Sequence, residues 1–336
     1  MKKMFNKIIY ISIPNEKIIK VLKINNNFII KVLQKFNTCD NVQPLQIFFK
    51  KKILYAGLRP RCKILISKIL ENGCLKKINE VKLDFPSNHI CLDLKNKFLF
   101  SSSYHGNCLE VYKIDENGIP IKKYTTFFNI KGCHFSTITL DNNFLLFTAL
   151  KEDKIYFINL SDLKKKKKII ISYLKLEKNS GPRHLSLHPN KKYFYIINEL
   201  NSTICTIKIS SKKFNKFEII QKISLVPKKQ KKFWASEIQI TSCGKYLYAS
   251  DRIKNIISSF KIDKKKFILK FLKHYYTENQ PRSFRIDSSG NFLAVVGEKS
   301  NSMSIYKINN LNGSLKKIVK KFFVGNNPIW INFYDL

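Results

Sequence analysis

The chain has 336 residues and a formal net charge of +39, with 62 Lys and Arg residues against 23 Asp and Glu residues. Only six basic residues are Arg, whose guanidinium fork makes the bidentate contacts typical of nucleic-acid sites. Because the lysines are scattered over turns and strand ends, including the run Lys164–Lys168, we expect a solvated basic surface and no nucleic-acid partner. Apolar runs such as Phe144–Leu150 are far shorter than the roughly 20 residues that span a bilayer, so no membrane partner is expected.

The N-terminal segment begins with Lys2 and Lys3 and continues directly into strand patterns at Ile8–Ser12 and Ile18–Ile24. It shows neither the apolar stretch nor the small-residue cleavage site of a secretory signal. We therefore expect a cytoplasmic protein.

A repeated pattern follows this segment. Each copy has an apolar strand, a polar turn, a second apolar strand, a charged turn and a third strand. The first two strands of the copies are predicted at Leu45–Tyr55, Ile90–Phe100, Ser136–Leu146, Leu185–Tyr195, Ile238–Tyr248 and Phe284–Ala294, and a truncated copy begins at Ile331. Successive copies start 45 to 53 residues apart, which is the period of a four-stranded propeller blade.

The apolar residues within a copy separate strands from paired helices, which have similar periods. Leu185 and Leu187, and then Tyr193, Tyr195 and Ile197, alternate with other residues at period two. β-branched and aromatic residues also dominate these segments, as is typical of strands.

The two ends of the chain supply complementary parts of one copy. The C-terminal segment Asn327–Phe333 has the pattern of a first strand, whereas Ile8–Ser12 and Ile18–Ile24 have the pattern of later strands. Pairing them closes a ring and removes two exposed sheet edges. The sequence therefore predicts an all-β fold, a seven-bladed β-propeller whose terminal strands share one composite blade, in a single domain over residues 1–336.

Eight cysteines occur without any Cys-x-x-Cys pair, at positions 39, 62, 74, 91, 108, 133, 205 and 243. Most lie within apolar segments. We therefore expect buried thiols rather than disulfides or metal ligands.

Two loops of every blade are expected on one face of the propeller: the loop that enters the innermost strand and the loop between the second and third strands. Four of the six arginines fall in these loops, at Arg59, Arg183, Arg252 and Arg282. In a chain that uses Lys almost everywhere else, an Arg is expected where its planar five-donor fork is needed. The pattern predicts an anion-binding site on this face.

Several short segments occur in an order and spacing that resemble a known family: Gly132–His134, Ala149–Lys151, Gly181–His184, Asn198–Asn201, Gln280–Arg282 and Pro328–Trp330. Over about residues 7 to 333 the chain resembles the bacterial propeller-type 6-phosphogluconolactonases of the cycloisomerase 2 or lactonase family. The resemblance implies hydrolysis of 6-phospho-D-glucono-1,5-lactone to 6-phosphogluconate in the oxidative pentose phosphate pathway. It implies a small-molecule sugar-phosphate lactone as the partner, with no metal or organic cofactor, and we expect a monomer.

Fungal carboxymuconate-lactonising enzymes are similar in fold, and their proposed site implies a catalytic set of His134, Glu199, Arg183 and Arg282. Opening a lactone needs attack by water, a base and stabilisation of an oxyanion. Glu199 or His134 is the predicted base. Arg183 and Arg282 are predicted to hold the oxyanion or the 6-phosphate, and the sequence leaves open which Arg holds which group. Predicted contacts to phosphate or hydroxyl groups come from His89, His184, Lys151 and Arg59.

Two other functions stay open. The same arginines suit an enzyme that forms or opens lactones of carboxylated substrates, and propellers also serve as noncatalytic interaction platforms. Structural interpretations stay open for single residues too: Glu199 as a salt-bridge partner of Arg183, and Trp234 and Trp330 as core or channel-wall aromatics.

Overall fold

The computed structural model describes residues 7–164, 169, 171–210, 217–226 and 232–336. Lys2, Lys3 and most of the lysine run, residues 165–168, lie outside the described residues. The chain forms two compact units, one within residues 1–87, 116–119 and 277–336 and the other of residues 88–115 and 120–276. A single domain over residues 1–336 stays a prediction.

The described residues contain 28 strands and one short α-helix, α1 at Leu160–Lys164. The strands are β1 Lys7–Ile13, β2 Ile18–Ile24, β3 Ile30–Asn37, β4 Asn41–Phe48, β5 Ile53–Arg59, β6 Lys63–Ile69, β7 Leu75–Lys82, β8 His89–Leu92, β9 Phe98–Ser103, β10 Cys108–Ile114, β11 Pro120–Phe127, β12 Cys133–Ile138, β13 Phe144–Ala149, β14 Lys154–Asn159, β15 Ser172–Lys175, β16 Pro182–Leu187, β17 Tyr193–Asn198, β18 Thr203–Ile209, β19 Phe217–Ser224, β20 Ala235–Ile240, β21 Tyr246–Asp251, β22 Ile256–Ile262, β23 Leu269–Tyr276, β24 Pro281–Ile286, β25 Phe292–Gly297, β26 Ser302–Ile308, β27 Leu315–Phe323 and β28 Trp330–Asp335. The same residues also contain three 3₁₀ helices, at Pro14–Glu16, Phe49–Lys51 and Leu150–Glu152.

The first unit contains three four-stranded antiparallel sheets, with orders β28-β1-β2-β3, β4-β5-β6-β7 and β24-β25-β26-β27. In the composite sheet, β28 pairs with β1 so that Ile331 lies opposite Ile11. This pairing confirms the prediction that the two ends of the chain share one sheet.

The second unit contains four such sheets, with orders β8-β9-β10-β11, β12-β13-β14-β15, β16-β17-β18-β19 and β20-β21-β22-β23. Together the described residues form the seven four-stranded sheets that the repeat predicts.

Burial falls from the inner strands of a sheet to its outer strand. In the composite sheet, β1 is buried along its whole length, whereas no residue of the outer strand β3 is fully buried and its Lys31 and Lys35 are exposed. Strands that are covered on both faces need apolar residues at every position, which explains the continuous run Ile8–Ile11. Lysines on the outer strands oppose edge-to-edge pairing with another chain.

Buried tyrosines in the second strands tie the sheets to neighbouring turns. In the first unit Tyr10 donates a hydrogen bond to the Gly73 carbonyl at 2.8 Å, and Tyr55 donates to the Gly118 carbonyl at 2.6 Å. In the second unit Tyr195 donates to the Phe267 carbonyl at 2.7 Å. The hydroxyl of each buried tyrosine thereby has a hydrogen-bond acceptor, while the ring packs in the core.

The cysteine prediction is half right. All eight cysteines lie in the described residues and none forms a disulfide, and Cys91, Cys108, Cys133 and Cys205 are buried in strands. The prediction is wrong for the other four, Cys39, Cys62, Cys74 and Cys243, which lie in turns with exposed or half-exposed side chains. Polar turn residues interrupt the apolar strands at these positions, so burial does not extend to them.

In the part of the chain that the structure describes, no helix is long and apolar enough to span a membrane.

Candidate active site

The inner strands of the second unit are irregular near their first residues. The pairing register shifts between Cys133 and Ser136 in β12, between Pro182 and His184 in β16, and between Ala235 and Ile238 in β20. β-bulges of this kind re-aim side chains that a regular strand would point to alternate faces. His134, Arg183 and Glu237 lie at these three irregularities.

Glu199, which follows β17, lies between two arginines. Its Oε2 atom is 2.8 Å from Arg183 Nε and 3.0 Å from Arg252 Nη2, and its Oε1 atom accepts a hydrogen bond from Trp234 Nε1 at 3.2 Å. Both arginine side chains are 3% exposed, against 17% for Glu199. One carboxylate therefore holds two nearly buried guanidinium groups, and both of its oxygens are engaged.

The Arg252 guanidinium contacts the Trp234 ring and the backbone of β20. Its Cζ atom lies 3.8 Å from the centroid of the Trp234 ring. It also donates from Nη2 to the Ala235 carbonyl at 3.3 Å. Stacking on an aromatic face and a backbone hydrogen bond fix its plane, which an ammonium group would not reproduce.

The Arg183 side chain is fixed from a second direction. Its Nη1 donates to the Ser236 carbonyl at 2.6 Å and lies 3.1 Å from His184 Nε2. The other ring nitrogen of His184, Nδ1, lies 3.1 Å from Glu237 Oε1. Arg183, His184 and Glu237 are all at most 2% exposed.

Three buried histidine rings meet in this unit. His184 lies 5.1 Å from His134 and 6.1 Å from His89, measured between ring centroids. Phe135 packs against two of them, at 4.0 Å from His89 and 4.9 Å from His184. Among the described residues no group of three or more His, Cys, Asp or Glu side chains has the arrangement of a metal site.

Lys151 and Tyr104 form the more exposed edge of the group. The Lys151 ammonium lies 4.8 Å from the centroid of the Tyr104 ring, and that ring lies 6.2 Å from His134. Gly132 has a left-handed φ of +68°, and a Cβ there would approach the Lys151 side chain to 3.0 Å and the Tyr104 ring to 3.2 Å. Partial burial and the negative charge of Glu199 raise the pKa of Tyr104.

The first unit holds the other two predicted arginines. Arg59 donates to the Ser87 carbonyl from Nη2 at 2.9 Å, and Arg282 Nη1 is 3.5 Å from both carboxylate oxygens of Glu298. Burial, together with the positive charge of Arg282, lowers the pKa of Arg59 to about 10. Arg282 also lies at a shift of register, between Pro281 and Ser283 of β24.

The second unit therefore brings together most of the predicted site residues: Glu199, His134, Arg183, His184, His89 and, through Tyr104, Lys151. Arg282 and Arg59 belong to the first unit, and their place in the catalytic and substrate-binding sets stays a prediction.

Three residues outside the predicted set contact this group: Arg252, Trp234 and Glu237. The restricted use of Arg was a signal for Arg252, which lies in a predicted rim loop. Trp234 directly precedes β20 and Glu237 lies within it, at a shift of register that a strand pattern does not reveal.

The chain matches a known family over almost its whole length. Residues 8–333 match the family model described as Lactonase, 7-bladed beta-propeller. The chain belongs to this lactonase family. The match confirms both the seven-bladed β-propeller and the family resemblance read from the short segments.

Two similar proteins carry the same name. A 6-phosphogluconolactonase of Buchnera aphidicola subsp. Schizaphis graminum is 41% identical over 97% of this chain and 98% of its own length. A 6-phosphogluconolactonase of Xenorhabdus nematophila is 33% identical over 98% of this chain and 99% of its own.

Solved structures share the fold of this chain. The periplasmic gluconolactonase of Pseudomonas aeruginosa has a TM-score of 0.89 at 17% identity, covering 99% of both chains. A protein from Lactobacillus plantarum has a TM-score of 0.86 at 22% identity, covering 98% of this chain and 99% of its own.

Proposed function

We propose that this lactonase-family protein hydrolyses 6-phospho-D-glucono-1,5-lactone to 6-phosphogluconate, as a step of the oxidative pentose phosphate pathway. The observation that carries the proposal is the shared name of relatives 33 to 41% identical over nearly the whole chain. The buried arginine, glutamate and histidine group of the second unit supplies chemistry that this reaction needs.

The charges of the group favour Lys151 as the phosphate contact. Two carboxylates, Glu199 and Glu237, lie in the same chain of contacts as the guanidinium groups of Arg183 and Arg252 and balance their charge. A phosphate monoester therefore needs a further cation. Within the described residues Lys151 pairs with no carboxylate, and its ammonium is held over Tyr104 at the exposed edge of the group.

His134 is the better placed of the two predicted bases. Glu199 Oε2 forms ion pairs with Arg183 and Arg252, and its Oε1 accepts a hydrogen bond from Trp234, so the carboxylate acts as a support for the guanidinium groups. His134 lies at the bulge of β12, between Tyr104 and His184. General-base assistance is typically worth about 10² to 10⁴ in rate.

In the proposed reaction His134 takes a proton from water as the water oxygen attacks the lactone carbonyl. Arg183 or Arg252 donates hydrogen bonds to the oxyanion that forms, and both are held rigidly before the reaction begins. Collapse of the oxyanion breaks the bond between the carbonyl carbon and the ring oxygen. The ring oxygen then receives the proton from His134, which leaves the base ready for another cycle.

The test is hydrolysis of lactone generated in place by glucose-6-phosphate dehydrogenase, compared with the spontaneous rate. The proposal expects the protein to shorten the lifetime of the lactone in proportion to its concentration. A folded protein that adds nothing to the spontaneous rate would defeat the proposal.

Competition separates this substrate from a carboxylated one. We expect 6-phosphogluconate to inhibit, and gluconate or muconate to have little effect. The reverse order of inhibition would assign the site to carboxylated lactones.

The cytoplasmic location and the monomeric state stay predictions.

A further inference from the structure

A buried histidine and a buried glutamate contact each other behind Arg183. His184 lies on β16 and Glu237 on β20, and both side chains are 2% exposed. His184 Nδ1 is 3.1 Å from Glu237 Oε1, while His184 Nε2 is 3.1 Å from Arg183 Nη1. The imidazole therefore lies between a group that only donates hydrogen bonds and a group that accepts them.

These two contacts determine where the proton of His184 must be. A guanidinium nitrogen carries only hydrogen-bond donors, so His184 Nε2 has to accept and cannot carry a proton. In a neutral imidazole the proton then lies on Nδ1, which donates it to Glu237. The opposite tautomer would place two donors face to face at Arg183.

Glu237 is built into the site as a fixed acceptor. The same oxygen that faces His184 also accepts from the Ile238 amide at 3.1 Å and from Gln239 Nε2 at 3.3 Å. The Glu237 amide donates to the Ser250 hydroxyl at 3.1 Å. The contacts to Oε1 hold the carboxylate, and the Ser250 contact holds the backbone that carries it, before any substrate is present.

We propose that Glu237 is a positioning residue that locks His184 in the tautomer with its proton on Nδ1. Locked in this way, His184 accepts from Arg183 and fixes the plane of the guanidinium, together with the Ser236 carbonyl and Glu199. His184 is then a support for Arg183 rather than a direct contact to substrate. The effect on hydrolysis rests on the proposed function, but the tautomer does not.

The first experiment reads the tautomer directly. In the full chain labelled with ¹⁵N-histidine, the His184 signals are assigned by their loss in His184→Gln. We expect a directly bonded proton on Nδ1 and none on Nε2. A proton found on Nε2 would overturn the proposal whether or not the protein hydrolyses any lactone.

The second experiment removes the acceptor. Glu237→Leu is expected to lower kcat by about 10-fold or more, with a smaller change in KM, because Arg183 loses its fixed orientation while substrate binding at Lys151 is kept. Glu237→Gln retains an acceptor oxygen and is expected to keep a larger share of kcat and the Nδ1 proton. A folded Glu237→Leu variant with kcat within twofold of the parent would contradict the proposal.

A matched control separates positioning from loss of stability. Glu278 in the first unit is as buried as Glu237, with 1% of each whole residue exposed, and it accepts hydrogen bonds from Ser300, Ser302 and Ser304. Glu278→Leu removes an equally buried carboxylate that does not contact His184. We expect it to lower the melting temperature and leave the His184 signals in place, and a loss of the Nδ1 proton there as well would count against a specific role for Glu237.

Discussion

Lys7 Nζ lies 3.1 Å from Asp287 Oδ2, and the same ammonium contacts Asp335. Lys7 belongs to β1, Asp335 to β28, and Asp287 directly follows β24. Burial by itself would lower the pKa of Lys7, but the contacts with Asp335 and Asp287 outweigh it and raise the pKa. One ammonium thus links both end strands of the composite sheet to the turn beside it.

Lys7→Met should destabilise the fold, because it leaves Asp287, whose side chain is 0% exposed, without its cation. Breaking a buried ion pair from one side typically costs about 3 kcal/mol or more. Urea unfolding measures the loss. Lys52→Met is the control, since its pair with Glu71 is 45% and 90% exposed and should contribute little; equal losses in the two variants would contradict the role of Lys7.

Removing residues 328–336 should destabilise the protein further than any single substitution in that strand. The deletion takes away β28, exposes the edge of β1 and removes Trp330, Ile331 and Phe333 from the core. The melting temperature, followed by circular dichroism, is expected to fall by more than in Lys7→Met. A truncated chain with the melting temperature of the parent would show that the composite sheet does not hold the ends together.

The sequence predicts the fold well because each sheet repeats one pattern of burial. The period of the copies and the apolar runs locate the inner strands, and the split copy at the two ends predicts the pairing of β28 with β1. The exposed thiols of Cys39 and Cys243 were not anticipated, because apolar neighbours in sequence do not determine where a strand ends.

The site is predicted in part. Loop position and the scarcity of Arg led to Arg183 and Glu199, which form the ion pair that the sequence left as an alternative. Glu237 was missed because a regular strand would not bring it and His184 together, and a bulge has no signature in a single sequence. The sequence pattern indicates a core or channel-wall residue at Trp234, and it does not reveal that the indole N–H donates to Glu199.

Arg183→Lys should be damaging although it conserves the charge. Arg183 contacts Glu199 from Nε and the Ser236 carbonyl from Nη1, and one ammonium cannot reach both in the same plane. We expect kcat/KM to fall by about 100-fold, a loss of two oriented contacts. Arg61→Lys, at an exposed position, is the control and should keep the kcat/KM of the parent; a parental value in Arg183→Lys would mean that only charge is needed there.

His134→Gln and Glu199→Gln distinguish the base from the support. If His134 removes the proton from water, His134→Gln should lower kcat by about 10² to 10⁴. Glu199→Gln weakens the hold on Arg183 and Arg252 and should lower kcat less. Steady-state assays above the spontaneous rate measure both, and the opposite order of kcat values would assign the base role to Glu199.

Lys151→Met should change substrate preference. If its ammonium binds the 6-phosphate, the variant loses kcat/KM for the phosphorylated lactone by about 10-fold or more, while hydrolysis of unphosphorylated gluconolactone is little affected. The affinity for 6-phosphogluconate as an inhibitor should fall by a similar factor. The ratio of the two kcat/KM values is the measurement, because a general loss of activity cancels in it.

Lys131→Met is the control for Lys151→Met, because it tests the effect of the long-range electrostatic field of a chain with a charge of +39. Lys131 is exposed and adjoins Gly132, which packs against Lys151, so this variant removes one charge from the same loop region. Steering by net charge affects all phosphorylated substrates, is screened by salt and should be nearly equal in the two variants. If Lys151 binds the phosphate, the change in the ratio of the two kcat/KM values should persist at high salt in Lys151→Met and not in Lys131→Met. Equal ratios in the two variants would place the phosphate elsewhere.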